Sequence, residues 1–132
     1  MRLRHKALAI SALTLMWPCA ASADPVRTML QHSDLPASPQ TATLGRVQVK
    51  AGDPPAWHTH AGIEIGYILS GQVILSMAGA PDLPLGPGQS FLVPRGTPHA
   101  SRAIGGDATV ISTWVTDTGA PLATPAAAPA KP

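Results

Sequence analysis

The sequence predicts a single all-β domain, a sandwich or barrel of short strands. Three observations carry this. Apolar, β-branched runs recur along the chain, Gly- and Pro-rich breakers interrupt them about every ten residues, and residues 24–132 show no helical apolar period. A chain of 132 residues has room for one domain of this kind.

The first stretch stands apart from that domain. Residues 1–6 are basic, and residues 7–17 form an apolar run broken only by Ser11 and Thr14. Pro18 follows, and Ala21, Ser22 and Ala23 place small residues where a signal peptidase reads. Residues 1–23 are therefore expected to be a signal peptide, cut after Ala23, with a periplasmic or secreted product. A run of eleven residues falls short of the roughly 20 that cross a bilayer, so no stable membrane insertion is expected. Cys19, the only cysteine, belongs to this leader and lacks the Leu-x-small context of a lipid acceptor, so the mature chain has no thiol. Without Arg2, Arg4 and Lys6, six Lys/Arg face seven Asp/Glu, and the whole chain's +2 becomes −1. That balance gives no support for nucleic-acid binding.

Residues 24–40, with Pro25, Pro36 and Pro39, read as an extended or turning lead-in. Leu44, Val47 and Val49 suit a strand over 41–50, which the Gly52 to Pro55 breaker ends. Residues 63–69 and 72–77 read as two arms of a hairpin turning at Ser70 and Gly71. Three prolines make 79–88 a loop or bent edge; 90–93 is a short strand, 94–98 a turn, and 108–115 a β-branched strand. The barrel domain is placed at 41–118. Residues 119–132 form a Pro/Ala-rich tail, expected to be disordered beyond about Thr124.

Chemistry concentrates in one constellation. His58, His60 and Glu64, the only glutamate of the chain, share one parity, so an unbroken strand would point all three to one side. His99 arrives from a later strand after a Pro-Arg-Gly-Thr-Pro turn. Buried imidazoles and a carboxylate converging on one point need a shared positive partner, and a divalent metal supplies it. Trp57 has the opposite parity and is expected outside the site. Phe91 and Trp114 could border it but suit core packing better. Arg95 could meet an anionic ligand but suits a solvated turn, and His32 suits the surface.

At these residues the chain closely resembles the cupin superfamily. One motif runs as Gly52, five residues, His58-Thr59-His60, three residues, Glu64, six residues and Gly71. The second runs as Gly88, five residues, Pro94-Arg95-Gly96, two residues and His99, sixteen residues after the first. Ala103 stands where the pattern often carries Asn, which leaves the metal ligands intact. The resemblance implies a small single-domain, jelly-roll-like β-barrel that binds one divalent transition metal through His58, His60, Glu64 and His99. The ion would be Fe, Mn, Ni, Zn or Cu. It further implies a quercetin-dioxygenase-like metalloenzyme acting on a small molecule through an enolate- or catechol-type oxygen, with Glu64 as the catalytic residue able to take a proton. The alternative is a non-enzymatic metal or small-ligand binding or sensor module. Ile63, Ile65, Tyr67 and Leu69 have the parity opposite to Glu64, and this outward apolar row needs cover from the N-terminal segment or from a second subunit, a homodimer being the expected solution.

Overall fold

The computed structural model describes residues 24–130; the expected leader, with Cys19, lies outside the described residues. Eight strands pair antiparallel into one sheet that curls into an open barrel. They are β1 (Val26–Asp34), β2 (Gln40–Val49), β3 (His58–Thr59), β4 (Gly62–Met77), β5 (Leu83–Leu85), β6 (Ser90–Val93), β7 (His99–Asp117) and β8 (Thr124–Pro125). β7 is the spine. It pairs with β2 from Val49↔Ala108 to Gln40↔Asp117 and with β4 from Gly62↔Thr116 to Met77↔His99. β1 lies outside β2, β5 and β6 lie along β4, and β3 bridges His99 to β8.

Strand alternation builds the interior. Thr41, Thr43, Val47 and Val49 of β2 face Val110, Ser112, Trp114 and Thr116 of β7 across the same inner side. Val47, Val49, Ile68, Val73, Leu75, Leu85, Phe91, Val93, Val110 and Trp114 pack into one core. Each such large side chain, fully buried, contributes about 1.5–3 kcal/mol. Gly45 leaves the space Trp114 fills, since a Cβ there would lie 2.8 Å from the indole ring.

The expected hairpin is a correction. Residues 63–69 and 72–77 are one strand, β4, and both parts pair with β7. The inward residues of β4 are Gly62, Glu64, Gly66 and Ile68, then Val73 and Leu75, so parity switches by one residue at Ser70 and Gly71. That is a β-bulge. Gly71 sits at φ 74°, and a Cβ on it would meet the Asp107 carbonyl oxygen at 2.4 Å. A positive-φ glycine serves a bulge as well as a turn. Here the nineteen-residue β7 decides, because it can pair with both arms and bury both.

Two further differences matter for the site. The 24–40 lead-in contains a strand, β1, paired with β2 from Val26↔Gln48 to Asp34↔Thr41. All its residues but Arg27 are exposed, so no apolar alternation marks it in the sequence. The tail does not come free at Gly119. Leu122 packs against the core, Thr124 and Pro125 pair with β3, and the Ala126 N–H donates to the Trp57 carbonyl at 2.9 Å. Residues 119–126 thus close over the β3 end of the barrel. The remaining strands, β2, β5, β6 and the second half of β7, lie where the sequence places strands or a bent edge.

Candidate metal centre

The four expected ligands come together from three strands and one bend. His58 lies on β3 directly opposite His99 at the start of β7. His60 follows at the bend between β3 and β4, and Glu64 points inward from β4. The strand is therefore not continuous from His58 to Glu64, yet the shared parity survives the bend. One ligand atom from each residue lies within 4.8 Å of all the others. His60, Glu64 and His99 are buried, and His58 is half-buried.

Backbone carbonyls set the imidazole tautomers. The His58 Nδ1–H donates to the Ala56 carbonyl at 2.9 Å and the His99 Nδ1–H to the Thr97 carbonyl at 2.9 Å. The His60 Nδ1–H donates to the Leu122 carbonyl. A carbonyl oxygen only accepts, so each Nδ1 carries the proton and each neutral ring presents a bare Nε2 inward. The Oε2 of Glu64 lies 2.9 Å from the His60 Nε2 and 3.1 Å from the His99 Nε2. A carboxylate oxygen and a bare ring nitrogen are both acceptors, so this approach needs positive charge shared between them, a metal ion or, without one, a proton. Two donors about 2.1 Å from one ion lie roughly 3 Å apart when cis, which fits both distances. The donor set, its burial and its anchoring therefore suit one divalent metal ion.

Neighbouring side chains complete the arrangement. Ser112 Oγ donates to the Glu64 Oε1 at 2.7 Å, and the Trp114 Nε1–H points at the His60 Nε2 from 3.2 Å, a lone pair that a bound ion would take in its place. Burial pushes the Glu64 carboxyl up, but with positive charge shared between them the contacts with His60, His99 and Ser112 outweigh it and hold the group well below the usual carboxylate range. Burial lowers the His58 imidazole to about 4, against a smaller opposing effect of its bond to Ala56, so the ring is neutral at pH 7. Three neutral imidazoles, one carboxylate and a divalent ion sum to +1, which favours an anionic oxygen ligand.

The centre opens into a small cavity. Val47, Val49, Phe91, Val110 and Trp114 make its apolar walls, and Arg27 and Ser101 join His58 there. Phe91 and Trp114 are thus both core residues and cavity walls. Trp57 is absent from the lining, and His32 is exposed on β1, bonded to Thr43 at 3.0 Å. Arg95 is exposed and occupied elsewhere. It pairs with Asp117 and donates to the Ala61 carbonyl at 2.9 Å, tying the 94–98 turn to the bend after β3. The sequence reading missed Arg27, Ser112 and the Leu122 carbonyl. Ser112 had a signal, a small polar residue sharing the inward parity of Val110 and Trp114. Arg27 and Leu122 had none, because their segments were not assigned to the barrel.

Comparison with known proteins agrees with this geometry. The chain is similar to DMSP lyase DddQ from Ruegeria pomeroyi DSS-3, at 29% identity and a TM-score of 0.64 over 74% of this chain and 50% of that one. It thus spans about half the length of that lyase. It is also similar to KdgF from Halomonas sp., at 26% identity and a TM-score of 0.56, over 67% of this chain and 77% of that one. Iron(II) HppE in complex with its substrate matches at 24% identity and a TM-score of 0.52, over 55% of this chain and 45% of that one, a likeness of fold. No curated protein matches the sequence. The cupin domain model matches residues 45–116, more than half of the chain and the span that holds all four ligands, and the chain belongs to the cupin domain family.

Proposed function

We propose that this chain is a small metal-dependent enzyme of the dioxygenase-like cupin kind, exported after cleavage near Ala23. It would hold one divalent iron, manganese, nickel, zinc or copper ion on His58, His60, Glu64 and His99 and act on a small enolate- or catechol-type ligand. The observation that carries this is the inward convergence of three bare Nε2 atoms and one carboxylate oxygen beside an open, apolar-walled cavity. Bound there, a divalent ion supplies Lewis acidity toward an oxygen ligand and, for iron, manganese or copper, redox chemistry. An ion held by these four donors would have room for the ligand's oxygen only where it takes more than four donors. The three carbonyl-anchored imidazoles fix the donors before any ligand arrives. The apolar walls exclude water around the reacting atoms. Glu64 is the only carboxylate lining the cavity and would have to release the ion to take a proton from the ligand, with Ser112 holding its other oxygen. That solved relatives in the same fold include an iron(II) protein with bound substrate and a lyase supports an enzyme over an inert barrel.

The test is to strip the protein with chelator, reload it with each metal in turn and add enolisable or catechol-like compounds with and without oxygen. Metal-dependent oxygen uptake, lost in Glu64→Gln, is the expected result. Substrate loss without oxygen would replace the oxygenase with proton-transfer chemistry at the same centre. Tight binding without turnover for any metal would make this a binding or sensor module.

The chain is also proposed to act as a homodimer. Ile65, Tyr67 and Leu69 on β4 and Leu92 on β6 are 45–54% exposed, and Ile65 lies beside Leu92. Residues 24–40 are spent on β1 and its turn and leave this row uncovered. Light scattering at tens of micromolar should return twice the chain mass, and Tyr67→Lys should halve it; a monomeric wild type would remove the dimer.

A further inference from the structure

Arg27 is placed unlike the other basic side chains near the site. Lys50 pairs with Asp107 and Arg95 with Asp117, both on the surface. Arg27 is half-buried, turns inward from the edge strand β1 and lines the metal cavity together with His58 and Ser101. Among the described residues, no carboxylate lies within 4.0 Å of its guanidinium. Among the described residues its one side-chain hydrogen bond is weak, an N–H of Nη2 directed at the His58 Nε2 from 3.4 Å. That nitrogen is the lone pair His58 offers to a metal, and one lone pair cannot serve both. With an ion in place, the Arg27 guanidinium has N–H groups to spare at the cavity wall, and Glu64, the only carboxylate lining the cavity, is already committed to the ion.

From this we infer that Arg27 reads an anionic group on the ligand, and that the ligand is a small carboxylate bearing a second oxygen donor on the adjacent carbon, a 2-hydroxy or 2-oxo acid. The inference rests on the metal reading of the centre and sharpens it. The charge argument is direct. A divalent ion on three neutral imidazoles and Glu64 carries +1, and Arg27 adds another positive charge beside it, in a cavity whose other walls are apolar apart from Ser101 and Ser112. Geometry sets the spacing. The guanidinium nitrogen is 3.4 Å from one member of a donor set that itself spans no more than 4.8 Å. A carboxylate on Arg27 is therefore only a bond or two from an oxygen at the centre. A planar guanidinium also matches a carboxylate through two parallel N–H donors, which an ammonium cannot do. The valines and Phe91 would take the ligand's apolar remainder.

The experiment uses cobalt(II)-loaded protein and follows its visible absorption during titration with lactate or with lactamide, the same molecule without the charge. Metal content is measured first for wild type, Arg27→Gln and Arg27→Lys. Equal metal in all three, a roughly 10- to 100-fold weaker lactate response in Arg27→Gln with lactamide unchanged, and partial recovery in Arg27→Lys are expected. Lactate binding within twofold of wild type in Arg27→Gln would overturn the assignment while leaving the metal reading intact. Loss of metal, or an equal loss of both ligands, would overturn it by showing that Arg27 only supports the centre. A wild-type chain that takes up no metal would overturn the metal reading and this inference together.

Discussion

Two parts of the same barrel interior are built from the same strands and held by different physics. Beside the β4 bulge, Ile68, Val73, Leu75, Leu85 and Val110 fill the space with hydrocarbon, and no polar side chain is required there. At the other end, His60, Glu64, His99, Ser112 and Trp114 are as deeply buried, but nearly every polar atom among them is aimed. Burial at the first end is non-directional and scales with area. At the second end it would be costly without partners, and the partners are a seryl hydroxyl, an indole N–H and main-chain carbonyls from distant points of the chain. Among the described residues, no buried side-chain polar atom lacks a polar partner within hydrogen-bond distance. Stability can therefore be expected to live mostly at the dry end and metal affinity at the polar end, with little coupling between them.

The largest effect that tests this division is on stability. Leu75 is fully buried in the dry core. Leu75→Ala should cost about 2–5 kcal/mol in chemical denaturation, through lost burial and the cavity left behind. The surviving folded protein should still take up one metal per chain. Metal loss in proportion to stability would show that the two ends are one cooperative unit.

A smaller effect probes the polar end alone. Ser112→Ala removes the only hydroxyl donor to the Glu64 Oε1 and leaves that oxygen buried without it. Partners of this kind orient the ligand they touch. Metal affinity measured by chelator competition should fall about tenfold, while the denaturation midpoint of the metal-loaded protein moves less than in Leu75→Ala. An unchanged affinity would mean that the carboxylate is positioned by its strand alone.

The same division explains what was legible in the sequence. His58, His60, Glu64 and His99 could be read because strand parity and turn chemistry are local, and the dry-end strands because their apolar residues are contiguous. The β4 bulge was misread as a hairpin because a Ser-Gly pair is local chemistry common to both; only the distant β7 distinguishes them. β1 was hidden because a strand whose residues are nearly all exposed carries no alternation, and with it went Arg27. The Leu122 carbonyl reaches His60 across 62 positions, and a backbone atom leaves no trace in residue type. Packing could be read from periodicity. The polar end depends on contacts between segments far apart in the chain, and there only the ligands themselves were visible.

The smallest effect concerns pH and separates the two ends in one experiment. Burial holds the His58 imidazole down at about 4 in the fold, against 6.5 ordinarily. Because the folded value is the lower one, the unfolded chain takes up the proton first as pH falls. The stability tied to neutral His58 is then full above about pH 6.5 and is lost progressively between 6.5 and 4. Glu64 does not interfere in that window, since its hydrogen bonds keep it ionised to lower pH. Chelator-treated wild type should therefore lose melting temperature between pH 6.5 and 4 more steeply than His58→Gln, and the two should run parallel below pH 4. Leu75→Ala should lower the whole curve without changing its shape, because it removes hydrocarbon and no titrating or hydrogen-bonding group. If wild type and His58→Gln fall with the same slope, proton uptake at the polar end is not set by the burial of His58. A changed slope in Leu75→Ala would instead show that the dry end controls that burial.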